Sequence, residues 1–229
     1  MFIPLHDDTP LRIIRFQWMT VAILVLNVGI FLATGFFSSE VQQASLANSF
    51  GLVPTQVIAA FSNTGQTVWL PQLIVLFTYP FIHASWLHLI GNMLFLWVFA
   101  DNIEDAYGPL NFALFYMMCG LAGGLLHLVM APQSDVPLLG ASAAVSGILA
   151  AYVILFPRAR VWILLFMRIP VPLPALYVLG GWFVFQIISL VMAKPESRVA
   201  WWAHIGGFAT GFIVTKLTQN LLFRLRKRV

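Results

Sequence analysis

Charge is scarce in this chain: only 9% of its 229 residues are Asp, Glu, Lys or Arg, against about a quarter in an ordinary soluble domain. With 60% of residues apolar, a soluble fold could not hide the hydrocarbon. Cysteine is nearly missing too. The lone Cys119 excludes an internal disulfide and says little about redox compartment. Also missing are segments of about ten residues alternating apolar and polar, which a membrane β-barrel needs. The apolar runs here are unbroken, and that leaves helices. There is no sequence repeat, no low-complexity tract and no single basic patch. The formal charge of +4 is spread in small groups beside apolar segments, so nucleic acid is not an expected partner and the basic residues read as topology signals.

What is present is apolar sequence in long stretches. A spanning helix takes roughly 20 apolar residues, so this length allows about six or seven spans at most. The expected fold is all-α, a six-helix membrane bundle forming one domain over 1–229, with helices near 16–36, 84–104, 109–130, 138–157, 172–192 and 201–220. Residues 1–15 form a short leading segment that carries acids and lacks a small-residue cleavage site, so the first span is expected to remain as an anchor. Arg12 and Arg15 precede that span, Arg158, Arg160 and Arg168 lie between the fourth and fifth, and Arg224, Arg226, Lys227 and Arg228 fall in a basic tail, 221–229. The positive-inside rule puts these three regions, and both termini, in the cytoplasm. Lys194 and Arg198 are the only basic residues expected outside. The acidic connection Asp101 to Gly108 carries little weight for orientation. The connection from Phe37 to His83 is long, and its Trp69, Pro71 and Leu73 to Phe81 are expected to lie partly in the outer interface.

In this topology the second, fourth and sixth helices all descend from the outside, so polar residues about one turn into each share a depth. These are His88, with Asn92 one turn below it, Ser142 and His204. Polar side chains at membrane depth are costly and are functional candidates. Small residues every four positions, Ala143, Gly147 and Ala151 on one helix and Ala203, Gly207 and Gly211 on the other, would let the fourth and sixth helices pack closely. Ser142 and His204 would then meet. An imidazole is suited to take the proton of a serine nucleophile near neutral pH, and Asn92, His88 and the Ser142 backbone N–H are available oxyanion donors. No acid is placed to complete a triad, since Asp135 is in a loop and Asp101, Glu104 and Asp105 belong to the far side. A dyad is expected.

These residues resemble the rhomboid family of intramembrane serine proteases. The stretch His83-Ala-Ser-Trp-Leu-His88-Leu-Ile-Gly-Asn92-Met is similar to the family's second-helix motif, Gly140-Ala-Ser142 to its nucleophile motif, and Ala203-His204-Ile-Gly-Gly207-Phe-Ala-Thr-Gly211 to its sixth-helix motif. The resemblance implies Ser142 as nucleophile, His204 as base, and His88 with Asn92 at the oxyanion hole. No cofactor and no metal are expected. The resemblance also implies a transmembrane-helix substrate, cut near its outer end at small residues, with a lateral gate over Pro172 to Val199. The short termini and the lack of a soluble extra domain suggest a minimal bacterial-type enzyme in the plasma membrane, surrounded by lipid. Two positions depart from the family pattern: Ala143 stands where Gly usually follows the nucleophile, and the first loop has Thr78, Tyr79 and Pro80 where some members have a Trp-Arg pair.

Each residue also has a plainer reading. Ser142 alone is a small packing residue, His204 a helix-bridging donor, Asn92 structural glue, and His83 and His127 interfacial hydrogen-bond donors. Ser146, one turn beyond Ser142, is a rival nucleophile that reads as packing. A metal site from His83, His88, His127 and His204 is a competing chemistry. At the level of function, an inactive helix-binding relative and a small transporter are the alternatives. The transporter would call for inverted repeats and broken helices, which are not present in the sequence.

Overall fold

A computed structural model describes residues 3–34, 39–62, 69–165, 168–193 and 199–226. Lys194, Arg198, Lys227 and Arg228 lie outside the described residues. In chain order the elements are β1 (Ile3–Asp7), α1 (Trp18–Thr34), α2 (Glu40–Phe50), α3 (Pro54–Ser62), α4 (Trp69–Thr78), a 3-10 turn (Tyr79–Phe81), α5 (Trp86–Tyr107), α6 (Pro109–Met130), α7 (Ser142–Leu155), β2 (Arg160–Leu165), β3 (Ile169–Pro174), α8 (Ala175–Val191) and α9 (Trp201–Arg226). Helices therefore fall within a few residues of all six apolar segments. Two of them, α5 and α6, are long and apolar enough to cross a membrane by length and composition, and α1, α7 and α8 are apolar but shorter. Large apolar side chains face outward along these helices, among them Leu87, Val129 and Val191 at 82%, 70% and 80% exposure. An outward surface of this kind is unfavourable in water and suits lipid.

At the centre α9 lies in the groove between α6 and α7. Its glycines explain why. A Cβ on Gly207 would collide with the backbone of Ala143, a Cβ on Gly211 with the backbone of Gly147, and a Cβ on Gly206 would come within 3.0 Å of the Gly123 Cα on α6. Helix backbones in direct contact are possible only where side chains are absent. The two small-residue stripes therefore face one another.

Two expectations need correction, the all-α class and the connection Asp101 to Gly108. The fold is mostly helical rather than all-α, because β1, β2 and β3 form an antiparallel sheet in that order. Pro170, Pro172 and Pro174 occupy alternate positions of β3 and so gather their missing N–H groups on one side, which suits an edge strand. Within the N-terminal segment, Pro4, His6 and Asp7 pair with Ile163, Trp162 and Val161. The expected connection Asp101 to Gly108 is helical to Tyr107, and Gly108 at φ +77° turns the chain directly into α6. The basic tail continues α9 as far as Arg226.

The acidic end of α5 is a docking site for the chain's beginning. Asp105 Oδ1 accepts from the backbone N–H groups of Arg12, Ile13 and Ile14 at 3.1, 2.6 and 2.9 Å. Glu104 accepts from the N–H groups of Met19 and Thr20 and from the Thr20 hydroxyl. The first N–H groups of a helix have no partner within it, and a carboxylate there also meets the positive end of the helix dipole. Glu104 and Asp105 thus fix the entry of α1, although acids contribute little to membrane orientation. Nearby, Asp7 Oδ2 accepts from Asn102 Nδ2 at 3.0 Å and from the Tyr152 hydroxyl. The long first connection is helical as well and packs on α6 through Tyr79, whose hydroxyl donates to the Gly120 carbonyl at 2.6 Å.

Two outcomes are expected. Gly207→Ala forces a methyl into the Ala143 backbone and should cost on the order of 3 kcal/mol, read as a lowered unfolding midpoint in detergent; an unchanged midpoint would contradict the contact. Burial pushes the Asp7 carboxyl above its ordinary value of 3.8. The folded chain then holds a proton that the unfolded chain has released, so this group's contribution to stability falls as pH rises from 3.8 through the raised value. Asp7→Asn should flatten that part of the pH–stability curve, whereas Asp7→Ala, which strands Asn102 and Tyr152, should lower stability at every pH.

Candidate active site

Ser142, His204, His88, Asn92 and His83 sit near the N-terminal start of α5, α7 or α9, or in the turn just before α5, whereas His127 is in the last turn of α6. Ser142 is the first residue of α7, not one turn inside it. The helix cannot begin sooner because Leu138 is bridged to Leu52 and Gly140 adopts φ +97°. Ser142 consequently carries a backbone N–H with no partner expected from its own helix.

Ser142 Oγ and His204 Nε2 are 2.9 Å apart, within hydrogen-bond distance. The other ring nitrogen, Nδ1, is 2.8 Å from Gln186 Oε1 on α8. Gln186 was not foreseen from the sequence, where it is one polar residue in an apolar helix; a buried amide at membrane depth was the signal that could have found it. The imidazole lies between two indoles. Trp182 is tilted against it with centroids 6.2 Å apart, and Trp201 meets it edge-on at 6.1 Å.

Across the turn from Ser142 are His88 and Asn92. A Cβ on Gly140 would lie 2.5 Å from His88 Nε2 and 3.2 Å from Asn92 Nδ2, so the turn passes directly beside both side chains. Asn92 is held by His83, with Nδ2 3.1 Å from His83 Nε2, and the same nitrogen faces the Ala141 N–H at 3.5 Å. Burial, aided by neighbouring His88, holds His83 down to about 3. His83 is then neutral at pH 7, and the single lone pair of its Nε2 accepts chiefly from the nearer donor, Asn92, while Nδ1 carries the proton. Asn92 keeps a second amide hydrogen for another acceptor. His83 therefore supports Asn92, and His127 is buried at 8% exposure.

Ser146 does not compete with Ser142. It is fully buried and its hydroxyl donates to the Ser142 carbonyl at 2.6 Å, the back-bonded geometry of a packing serine. Nor do the four histidines converge, since His204 is engaged by Ser142 and Gln186 and His83 by Asn92. Among the described residues no three His, Cys, Asp or Glu side chains group as a metal site.

The extra methyl of Ala143 has a specific place. It points at Gly123 of α6, where an added Cβ would lie 2.7 Å from the Ala143 Cβ. The absent side chain of Gly123 takes up the methyl, and Ser142 stays within reach of His204.

Chemically, the arrangement can pass a proton from a serine oxygen to an imidazole while an amide and N–H groups face the same turn. Gly140→Ala should disrupt it, since the left-handed backbone costs about 1–2 kcal/mol for a residue with a side chain and the methyl displaces His88. We expect fluorophosphonate reactivity of Ser142 to fall about a hundredfold; reactivity equal to wild type would show that the turn does not shape the site.

Comparison with known proteins bears on this geometry. A family model described as Rhomboid domain matches residues 70–220. The chain is 32% identical over 157 residues to Rhomboid protein 1, mitochondrial, of Saccharomyces cerevisiae, covering 65% of this chain and 42% of the relative. It is 29% identical over 133 residues to Rhomboid-like protease 3 of Toxoplasma gondii, covering 58% and 44% respectively. It is also 34% identical over 84 residues to Inactive rhomboid protein 1 of Drosophila melanogaster, covering 37% of this chain and 6% of that protein. The matches span less than half the length of each of these relatives.

Proposed function

Because the chain belongs to the rhomboid family, whose members are membrane-embedded, we propose that it is an intramembrane serine endopeptidase that cuts transmembrane-helix substrates near their outer ends. The observation that carries the reading is the 2.9 Å separation of Ser142 Oγ and His204 Nε2, at a site formed by the same ends of three helices.

Six helices, α1 and α5 to α9, span the bilayer in this reading, with the sheet and the N-terminal segment on the cytoplasmic side. α7 has 14 residues, about 21 Å of helix, which is short of a hydrocarbon core about 30 Å thick. Starting it late places Ser142 below the outer surface, at the floor of a recess where water and substrate can meet. His204 Nε2 takes the Ser142 hydroxyl proton as Oγ attacks the scissile carbonyl, and the same nitrogen returns that proton to the leaving amine. The tetrahedral oxyanion is held by the Ser142 N–H, Asn92 Nδ2 and His88. Water then repeats the sequence on the acyl-enzyme and frees Ser142.

An inactive, helix-binding protein is the second reading, since one relative is named as inactive. Ala143, where the family pattern has Gly, is the sequence feature on its side, and the absent side chain of Gly123 beside that methyl supports the protease. The expectation of a bacterial plasma membrane is not supported: relatives whose names state a compartment are mitochondrial or chloroplastic.

Purified protein should react covalently with a fluorophosphonate, and should cleave a transmembrane reporter in liposomes. Both activities should vanish in Ser142→Ala and His204→Ala and persist in Ser146→Ala. Wild-type protein that takes no label and cuts nothing would leave the helix-binding reading standing.

A further inference from the structure

The proposed reaction uses one nitrogen of His204, and what the other nitrogen does decides whether the first is available. A neutral imidazole carries one proton. If it sits on Nε2, the ring donates toward Ser142 and cannot act as base; if it sits on Nδ1, the Nε2 lone pair faces the serine hydroxyl.

α8 supplies the group that chooses. In that helix only Ala175, Val178, Leu179 and Gln186 are buried, and the first three lie in its opening turns. Beyond them the helix is outward-facing: Phe185, Ile187 and Ile188 are 56%, 41% and 49% exposed, whereas Gln186 is 4% exposed. A buried amide is costly unless it is hydrogen-bonded, and its Oε1 lies 2.8 Å from His204 Nδ1. One turn earlier, Phe183 stacks on Phe208 of α9 with centroids 3.8 Å apart, which fixes the register between the two helices.

We propose that Gln186 is a positioning residue: its carbonyl accepts the Nδ1–H of His204, which keeps Nε2 unprotonated and aimed at Ser142. This rests on reading Ser142 and His204 as nucleophile and base. An amide oxygen is an acceptor with no proton to give, so it selects the Nδ1–H tautomer as a carboxylate does in a triad, without adding a buried charge. When the Ser142 proton moves to Nε2, the imidazolium keeps its Nδ1–H on the same oxygen and the carbonyl dipole stabilises the positive ring. The arrangement also makes the orientation of the base depend on α8 being seated against α9.

The test compares wild type with Gln186→Met, which keeps length but removes the acceptor, and Gln186→Glu, which keeps the acceptor and adds charge. The tautomer of His204 is read from its ring 15N shifts in detergent, and Ser142 reactivity from fluorophosphonate labelling across pH. Wild type should show the Nδ1–H tautomer, and Gln186→Met a mixture. The maximal labelling rate of Gln186→Met should fall about tenfold to a hundredfold, with little change in half-saturation or unfolding midpoint. Gln186→Glu should recover the rate and move the acid limb of the pH profile upward, because a carboxylate favours the imidazolium. An unchanged tautomer and rate in Gln186→Met would overturn the proposal, as would a rate loss that follows unfolding and is not recovered in Gln186→Glu. Wild type that takes no label would overturn the protease reading instead, and the tautomer comparison would still decide whether Gln186 orients the ring.

Discussion

The distance between α7 and α9 governs this protein. Gly207 and Gly211 lie against the backbone of Ala143 and Gly147, so no side chain separates the two helices along that line. Each helix carries one partner of the pair at its N-terminal end, so the 2.9 Å contact between Ser142 and His204 follows from the packing of the helices beneath it. A methyl on Gly207 or Gly211 would act on the site by pushing the helices apart, without touching the reacting atoms. Lipid cannot drive helices together by the hydrophobic effect, because its tails are as apolar as the helices. Close van der Waals contact through glycine takes over that role.

Around this pair the fold sets up two different ends. At one end, carboxylates are used as anchors: Glu104 and Asp105 bind the backbone at the start of α1, and Asp7 joins β1 to Asn102 and Tyr152. At the other, imidazoles, amides and a hydroxyl are held in hydrogen-bonded groups. His83 holds Asn92, and Gln186 holds His204. Glu104, Asp105 and Asp7 thus serve rigidity at the end remote from the serine, while the hydrogen bonds of Ser142 and Asn92 use hydroxyl and amide groups, which avoids placing a costly carboxylate at membrane depth.

Ala143 illustrates how a local departure is settled by a distant residue. Beside the nucleophile, an added methyl at a tight helix contact looks disruptive. Its neighbour across the interface is Gly123 on α6, and the missing side chain there leaves the space that the methyl fills. The pairing of a larger residue with a smaller one conserves volume, which is the condition under which packed interfaces accept substitution.

Long-range constraints of this kind mark the limit of reading the sequence. Membrane character, the helix positions, the facing stripes of small residues and the candidates Ser142, His204, His88 and Asn92 were all legible, because each follows from periodicity, composition or the cost of polarity at a given depth. The β-sheet was not: β1 is separated from β2 by most of the chain, and β3 is half proline, so nothing local marks Pro4 and Ile163 as partners. The late start of α7 depends on the Leu52 to Leu138 bridge and the left-handed Gly140, neither visible in an apolar run. Gln186 was hidden for the same reason. Sequence alone determines what each helix must do with its own polar residues, since that cost is local, whereas which nitrogen meets which oxygen across three helices is decided only when their backbones pack.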